Sequence, residues 1–318
     1  MMKKWLRWLL GGLLVLLVVA MLIPFIIPIS ETGIDAKMLV NDPDGAFITI
    51  QNVAIYYEDK GDSTSPVVIL VHGLFGSTET WRYNADVLAD AGYRVIAFDR
   101  PGFGLSDKPD SFNYSVSNQA DLTAELMDAL NIDTAVMVGH SAGANVLGHF
   151  AIRHPERITK LVLVDAALLT GGPPPFVGAL LRFPPIWRWG RVILQRVFTR
   201  EQLENSLASF YVNASFLTSA DYDAYWRAFQ TPNWDIGLLG LTRDSAGNTL
   251  SREAIATIQA NTVLIWGDQD TVTPIADGKA LTSLIPNSRL MIITNTGHQP
   301  FEEAPDEFNR ILLSVLDT

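Results

Sequence analysis

The sequence predicts an α/β architecture: a mostly parallel central sheet with helices on both faces, a helical insertion, and one transmembrane helix ahead of it all. Three observations carry this expectation. Short β-branched apolar runs alternate with amphipathic stretches along most of the chain. The alternation breaks once, between residues 166 and 251. The first 29 residues contain a long run without any charge. The 318 residues are 48% hydrophobic and 18% charged, with a mean hydropathy of +0.19, which excludes a disordered chain and fits a membrane segment. A net charge of −11 offers no basic stripe for phosphates, so no nucleic-acid partner is expected. Cysteine is absent, which excludes disulfides, thiolate metal sites and a Cys nucleophile. The histidines are too scattered for a local metal motif, and neither metal nor cofactor is expected.

Residues 8–29 carry no charge and, as a helix, reach roughly 33 Å, enough for the hydrocarbon core of a bilayer. Lys3, Lys4 and Arg7 precede this run, and Glu31 and Asp35 follow it. The positive-inside rule then predicts a single-pass membrane protein with residues 30–318 on the extracytoplasmic side. A cleaved signal peptide is the rival reading. It is opposed by a run longer than the usual apolar region of about 7–15 residues and by the lack of an A-x-A-like site. Residues 1–29 are therefore read as an anchor and 30–46 as a linker. A chain starting near Ser30 is expected to be soluble and active.

The soluble part begins with residues 47–57, two short strands around a Gln51-Asn52 turn. Apolar runs at 67–71, 95–98, 135–138, 161–164, 263–266 and 290–293 have the look of strands buried on both faces. The core is expected to occupy 47–165 and 252–318. The insertion, 166–251, follows the sixth strand, opens with GGPPP at 171–175, and is rich in aromatics such as Trp187, Trp189, Trp226, Phe229 and Trp234. Arg182, Arg188, Arg191, Arg196 and Arg200 cluster there, as a solvated helix face or as a surface for lipid headgroups.

Gly139-His140-Ser141-Ala142-Gly143 follows the apolar strand AVMV and opens a helix-like stretch. A serine on such a sharp turn is a candidate nucleophile, because small neighbours permit the turn and the helix N-terminus faces developing negative charge. A serine hydroxyl needs a base, and the base an orienting carboxylate. His298 follows the strand RLMII and is the candidate base. Asp268 and Asp270 both follow the strand ending at Trp266. Asp270, deeper in the loop, is preferred; Asp165, ending the sixth strand, is the alternative acid. The turn His72-Gly73-Leu74-Phe75-Gly76 can present backbone N–H groups, so Leu74 and Ala142 are the candidate oxyanion donors. His72 is read as a structural hydrogen-bonding group.

With HGLFGS (72–77), DRPGFGLSD (99–107), GHSAG (139–143), WGDQD (266–270) and GHQPFEEAP (297–305) in this order, the chain resembles the α/β-hydrolase-fold serine hydrolases from about Phe47 onward. Within that family it looks like the esterase and lipase members of the monoacylglycerol-lipase-like branch. The resemblance implies Ser141 as nucleophile, Asp270 as acid, His298 as base, and a helical cap in the insertion. Serine rather than aspartate at the elbow argues against dehalogenase or epoxide-hydrolase activity. The expected function is a membrane-anchored hydrolase of carboxylic esters, with a lipophilic, monoacylglycerol-like small molecule as substrate. Two alternatives stand beside it: hydrolysis of a carbon–carbon bond in a diketone-type substrate by the same triad, and a non-catalytic binding protein of this fold.

Overall fold

The computed structural model describes residues 2–170, 172–247 and 249–317. Gly171, the first residue of the GGPPP motif, lies outside them. Helix α1 (Met2–Ile26) is followed by a single turn, α2 (Ala36–Leu39), started by the Asp35 carboxylate, which accepts from the Lys37 N–H. Segment Lys4–Ile26 is long and apolar enough to cross a membrane.

An eight-stranded sheet follows, made of β1 (Gly45–Ile50), β2 (Val53–Lys60), β3 (Val67–Val71), β4 (Arg94–Phe98), β5 (Ala135–His140), β6 (Ile158–Val164), β7 (Thr262–Gly267) and β8 (Ser288–Ile293). Its spatial order is β1-β2-β4-β3-β5-β6-β7-β8. The first hairpin and the β2–β4 pair are antiparallel, and all other pairs are parallel. Gln51 and Asn52 both adopt positive φ, as the hairpin requires of a two-residue turn that follows the strand twist.

Helices α3 (Ala85–Asp90), α4 (Val116–Ala129), α5 (Ala142–Arg153), α12 (Ile275–Leu284), α13 (Pro300–Glu303) and α14 (Pro305–Leu316) cover the two faces. Strand side chains alternate between two cores. Ile69 and Val71 join Leu122, Leu147 and Phe150 on one side, while Val68 and Leu70 join Trp81, Phe301 and Phe308 on the other. Each such side chain contributes about 1.5–3 kcal/mol by leaving water. Two-sided burial is why β3 to β7 read as unbroken apolar runs instead of alternating ones.

Between β6 and β7 the described residues form helices only: α6 (Pro175–Leu181), α7 (Pro184–Val197), α8 (Arg200–Ala208), α9 (Ser219–Arg227), α10 (Trp234–Ser245), the turn α11 (Arg252–Ile255) and short 3₁₀ segments. Helix α1 does not stand apart. It packs on α7, where Trp189 Nε1 donates to the Ala20 carbonyl (2.8 Å) and Arg188 donates to Pro24 (3.0 Å) and Ile27 (3.1 Å). The insertion thus presents a helix to the N-terminal segment.

Candidate active site

Strand β5 ends in a turn that places Ser141 at φ +49° and ψ −114°, immediately before α5. Such a conformation costs a non-glycine residue on the order of 1–3 kcal/mol, so its surroundings must hold it. They do: Ser141 N–H donates to the Val164 carbonyl (2.9 Å), and the Ser141 carbonyl accepts from Asn145 and Ala167 (both 3.2 Å). The turn also presses against the end of β3, where a Cβ on Gly143 would collide with the Val71 carbonyl.

His298 lies in the loop between β8 and α13. Its own N–H donates to the Phe210 carbonyl of the insertion (2.7 Å), and the Gly297 N–H donates to Glu303 (2.7 Å). Its ring joins the two other residues read from the sequence. Nδ1 stands 2.8 Å from Asp270 Oδ2, and Nε2 stands 3.0 Å from Ser141 Oγ. With the Nδ1 proton given to Asp270, Nε2 is left as an acceptor for the serine hydroxyl.

Asp270 is buried and fully engaged. Oδ1 accepts from the backbone N–H of Val272 (2.7 Å) and Thr273 (3.0 Å), and Oδ2 accepts from Thr273 Oγ1 (2.6 Å) as well as from His298. Burial alone would raise its pKa, yet the bonds from His298 and Thr273 hold it below the usual carboxylate value, so it is ionised.

The two other acids weighed from the sequence lie elsewhere. Asp268 accepts the Asn295 N–H (2.7 Å), tying two loops together. Asp165 is fully buried with φ +43°, and its Oδ1 accepts the Gly267 N–H (3.0 Å), while Oδ2 finds no donor among the described residues and its carboxyl neighbours that of Asp270. Burial and the charge of Asp270 push its carboxyl well above the ordinary range, which makes it a neutral acid behind an ionised one.

Ala142 opens α5, where its N–H is free of helical partners, and Leu74 follows the end of β3 by three residues. The two turns lie close together, since a Cβ on Gly73 would sit 2.7 Å from His140 Nδ1 and 3.2 Å from Ser141 Cβ. His72 has the structural role expected of it. Nε2 accepts the Arg100 N–H (3.0 Å), Nδ1 donates to the Gly73 carbonyl (2.8 Å), and burial depresses its pKa well below the ordinary value.

Sequence reasoning missed two supports. Thr273 shares the Asp270 carboxylate with His298. His140, next to the serine, bonds through Nε2 to the His298 carbonyl (2.8 Å), and its ring lies 4.7 Å from the His298 ring. Burial and the neighbouring His298 keep His140 neutral, so Nε2–H is the donor. The only signals were the histidine inside GHSAG and the threonine of DTVTP.

Beside Phe75 and Gly76 lies a small apolar cavity of about 20 Å³, walled also by Phe103, Lys108, Phe229, Trp234 and Leu238, with none of Ser141, His298 and Asp270 in its wall. Lys108 is committed to the carbonyls of Gly104 (2.9 Å) and Ser106 (2.7 Å). Phe75 stacks on Phe198 at 5.8 Å, and Phe198 in turn meets Phe229 and Trp234. A larger cleft, about 670 Å³, separates α6 and α7 from residues 110–113 and includes neither Ser141, His298 nor Asp270 in its wall. The arginines of the insertion prove largely paired. Arg191 is buried against Asp235 (2.6 Å), Arg182 meets Asp244 (3.3 Å), Arg200 meets Glu204 (2.8 Å), and Arg188 binds the end of α1. Arg196 alone of the five is exposed with no ion pair among the described residues.

A parallel sheet, a strained serine at a strand-to-helix turn, and an Asp–His pair from two later strand ends together define a hydrolase fold. A sequence model of the alpha/beta hydrolase fold matches residues 66–305, and the chain belongs to that family. It is 30% identical to the uncharacterized hydrolase YugF of Bacillus subtilis over 264 residues, 81% of this chain and 92% of that one. It is 31% identical over 293 residues to a 2-hydroxy-6-oxononadienedioate/2-hydroxy-6-oxononatrienedioate hydrolase of Pseudomonas putida, covering 85% and 95% of the two chains. Among solved structures it is similar to a meta-cleavage product hydrolase from Pseudomonas fluorescens (TM-score 0.70, 28% identity, 86% of this chain and 97% of that one). It is also similar to a membrane phospholipase A described as a bacterial virulence factor (TM-score 0.70, 25% identity, 98% of both chains).

Proposed function

We propose that the protein is a membrane-anchored serine hydrolase of lipophilic carboxylic esters, with residues 1–29 as anchor and residues 166–251 as a cap. The observation that carries this reading is the hydrogen-bonded chain Ser141–His298–Asp270. In the reaction, Ser141 Oγ attacks the ester carbonyl while His298 Nε2 takes the hydroxyl proton. The N–H groups of Leu74 and Ala142 receive the oxyanion. His298 returns the proton to the departing alcohol, leaving an acyl group on Ser141. Water, deprotonated by His298, then attacks that acyl group and releases the carboxylic acid. Asp270 keeps the ring in the tautomer that can accept and stabilises it once charged.

The second reading is carbon–carbon bond hydrolysis, favoured by the names of several relatives. Those names describe dienoate and dienedioate substrates, whose carboxylates call for a cation. Lys108, the cation at the cavity edge, is already spent on two backbone carbonyls. The similarity to a membrane phospholipase A along 98% of the chain, the N-terminal helix included, supports the lipid-ester reading. A panel of p-nitrophenyl esters, monoacylglycerols of increasing chain length and one aryl-dienoate, run with wild type and Ser141→Ala, tests it. Ester turnover that grows with chain length and vanishes in Ser141→Ala is expected. Faster turnover of the dienoate than of any ester would transfer the assignment to the second reading.

A further inference from the structure

We propose that helices α6 and α7 of the cap form a second contact with the same bilayer that α1 crosses. The proposal rests on the anchor reading and adds a surface to it. Three observations carry it. First, α1 is attached to the cap and not only to a linker. Trp189 reaches Ala20, six residues before the end of α1, so its indole lies about 9 Å down the helix axis from Ile26. A helix seated in a bilayer along that stretch carries Trp189 below the membrane surface with it. Gln195 and Ser30 exchange two further hydrogen bonds (2.8 and 2.9 Å), which hold α7 against the point where the chain leaves α1.

Second, the faces of α6 and α7 that flank this contact are apolar where water would favour polar groups. Phe176, Leu180 and Phe183 recur at a spacing of four and three and are exposed, Phe176 by 64%. Ile193 and Val197, four apart on α7, are exposed by 53% and 55%. Scattered exposed leucines mean little, but two neighbouring stripes beside a transmembrane helix make a patch that lipid would cover. Third, Arg196, beside Val197 at the end of α7, is exposed and unpaired among the described residues, so its guanidinium is available to phosphate headgroups, while Arg182, 60% exposed on its side chain, is held by Asp244. The occupant is thus the bilayer itself, entered from the end of α1.

The absence of cysteine makes the test direct. Single cysteines replace Leu14, Leu180, Ile193 and, on edge strand β8, Ile292. Each carries a nitrobenzoxadiazole fluorophore, and the full chain is reconstituted in phosphatidylcholine–phosphatidylglycerol vesicles that contain spin-labelled lipid. Quenching at positions 14, 180 and 193 but not at 292 is expected. Quenching at 14 alone overturns the proposal and leaves the anchor standing. No quenching at 14 removes the anchor and the proposal with it. Disulfide-linked dimers of Ile193→Cys in place of lipid quenching would put a second copy on this face and also overturn it. None of these readouts depends on which bond the enzyme cleaves. As a functional arm, Ile193→Glu with Val197→Glu should slow hydrolysis of a vesicle-borne monoacylglycerol at least about fivefold while leaving a water-soluble short-chain ester unaffected. Equal loss on both substrates would mean that the face is structural and would overturn the proposal.

Discussion

Replacing Asp270 by asparagine changes one oxygen to nitrogen, and the surroundings dictate which one. Oδ1 faces two backbone donors, the N–H groups of Val272 and Thr273, so that position must stay a carbonyl oxygen. The amide nitrogen is then forced to the Oδ2 position, 2.8 Å from His298 Nδ1 and 2.6 Å from Thr273 Oγ1. An NH₂ group there donates to Nδ1 and fixes the proton on Nε2. The ring can no longer accept the Ser141 proton, and the charge that would stabilise the imidazolium is gone. A wrong-tautomer substitution of this type costs about 10³–10⁴ in kcat/KM, or about 4–5.5 kcal/mol of transition-state stabilisation. Hydrolysis of p-nitrophenyl butyrate at pH 8 measures the loss, and thermal unfolding checks that the fold persists. Asp165→Asn is the control: it keeps an acceptor for the Gly267 N–H and exchanges one neutral group for another, so it should lose less than about tenfold. A loss below tenfold in Asp270→Asn, or the larger loss in Asp165→Asn, would refute the assignment of the acid.

Ser141→Ala should reduce ester hydrolysis to background, by on the order of 10⁴–10⁶ in kcat, with an unchanged melting temperature; a tenth of the wild-type rate remaining would remove Ser141 as nucleophile. Gly73→Ala drives a methyl group into His140 Nδ1 and toward Ser141 Cβ, so activity should fall at least about tenfold while far-ultraviolet circular dichroism stays native. Glu58, 8% exposed and pushed up to about 7 chiefly by burial, holds its proton in the folded state when the unfolded chain has already lost it. Wild type should therefore lose stability relative to Glu58→Gln as pH rises from about 4.5 to 7, by about 1.4 kcal/mol per pH unit at most, and parallel melting curves across that range would refute this. A chain starting at Ser30 should fold but self-associate in concentration-dependent fashion, relieved by detergent, because it uncovers the α7 face on which α1 packs; a monodisperse monomer without detergent would contradict it.

What the sequence made legible follows from which elements have a strong local signal. Strands β3 to β7 are buried on both sides, so they stand out as apolar runs, and the eight expected strands are the eight observed. The elbow was legible because strand, small residues and serine coincide at 139–143, and Asp270 and His298 because each follows an apolar strand, β7 buried throughout and β8 an edge strand buried only at Ile293, not on both faces as its apolar run suggested. The supports were not. His140 acts through the backbone carbonyl of a residue 158 positions away, and Thr273 through a hydroxyl whose direction only the folded loop settles. Helix α2 hid in an expected linker because a single capped turn has no periodicity. The α1–α7 contact was hidden for a different reason. Trp187-Arg188-Trp189 signals an interface by composition, but nothing in the sequence says that the partner is the chain's own first helix.

The insertion is held at its two ends by different chemistry. Helix α9 is tied to the core beside His298. Arg82 bridges Asp221 (2.8 Å) and Glu302 (3.0 Å), and buried Glu302 also accepts from Tyr211 (2.7 Å) and Tyr225 (2.5 Å). Breaking one partner of such a buried charged cluster leaves the others unpaired, at a cost of about 3–5 kcal/mol. Among the described residues, helices α6 and α7 have no buried ion pair to the core, although Trp187 packs against it; a cleft of about 670 Å³ lies between them and residues 110–113. The cavity beside Phe75, about 20 Å³, holds little more than one water. A displacement of the insertion would cost least in the α6–α7 half, where apolar side chains already face outward and, among the described residues, no buried ion pair to the core must break. That half is also the one bonded to α1, so a displacement there would have to give up the contacts of Trp189 and Arg188 with that helix.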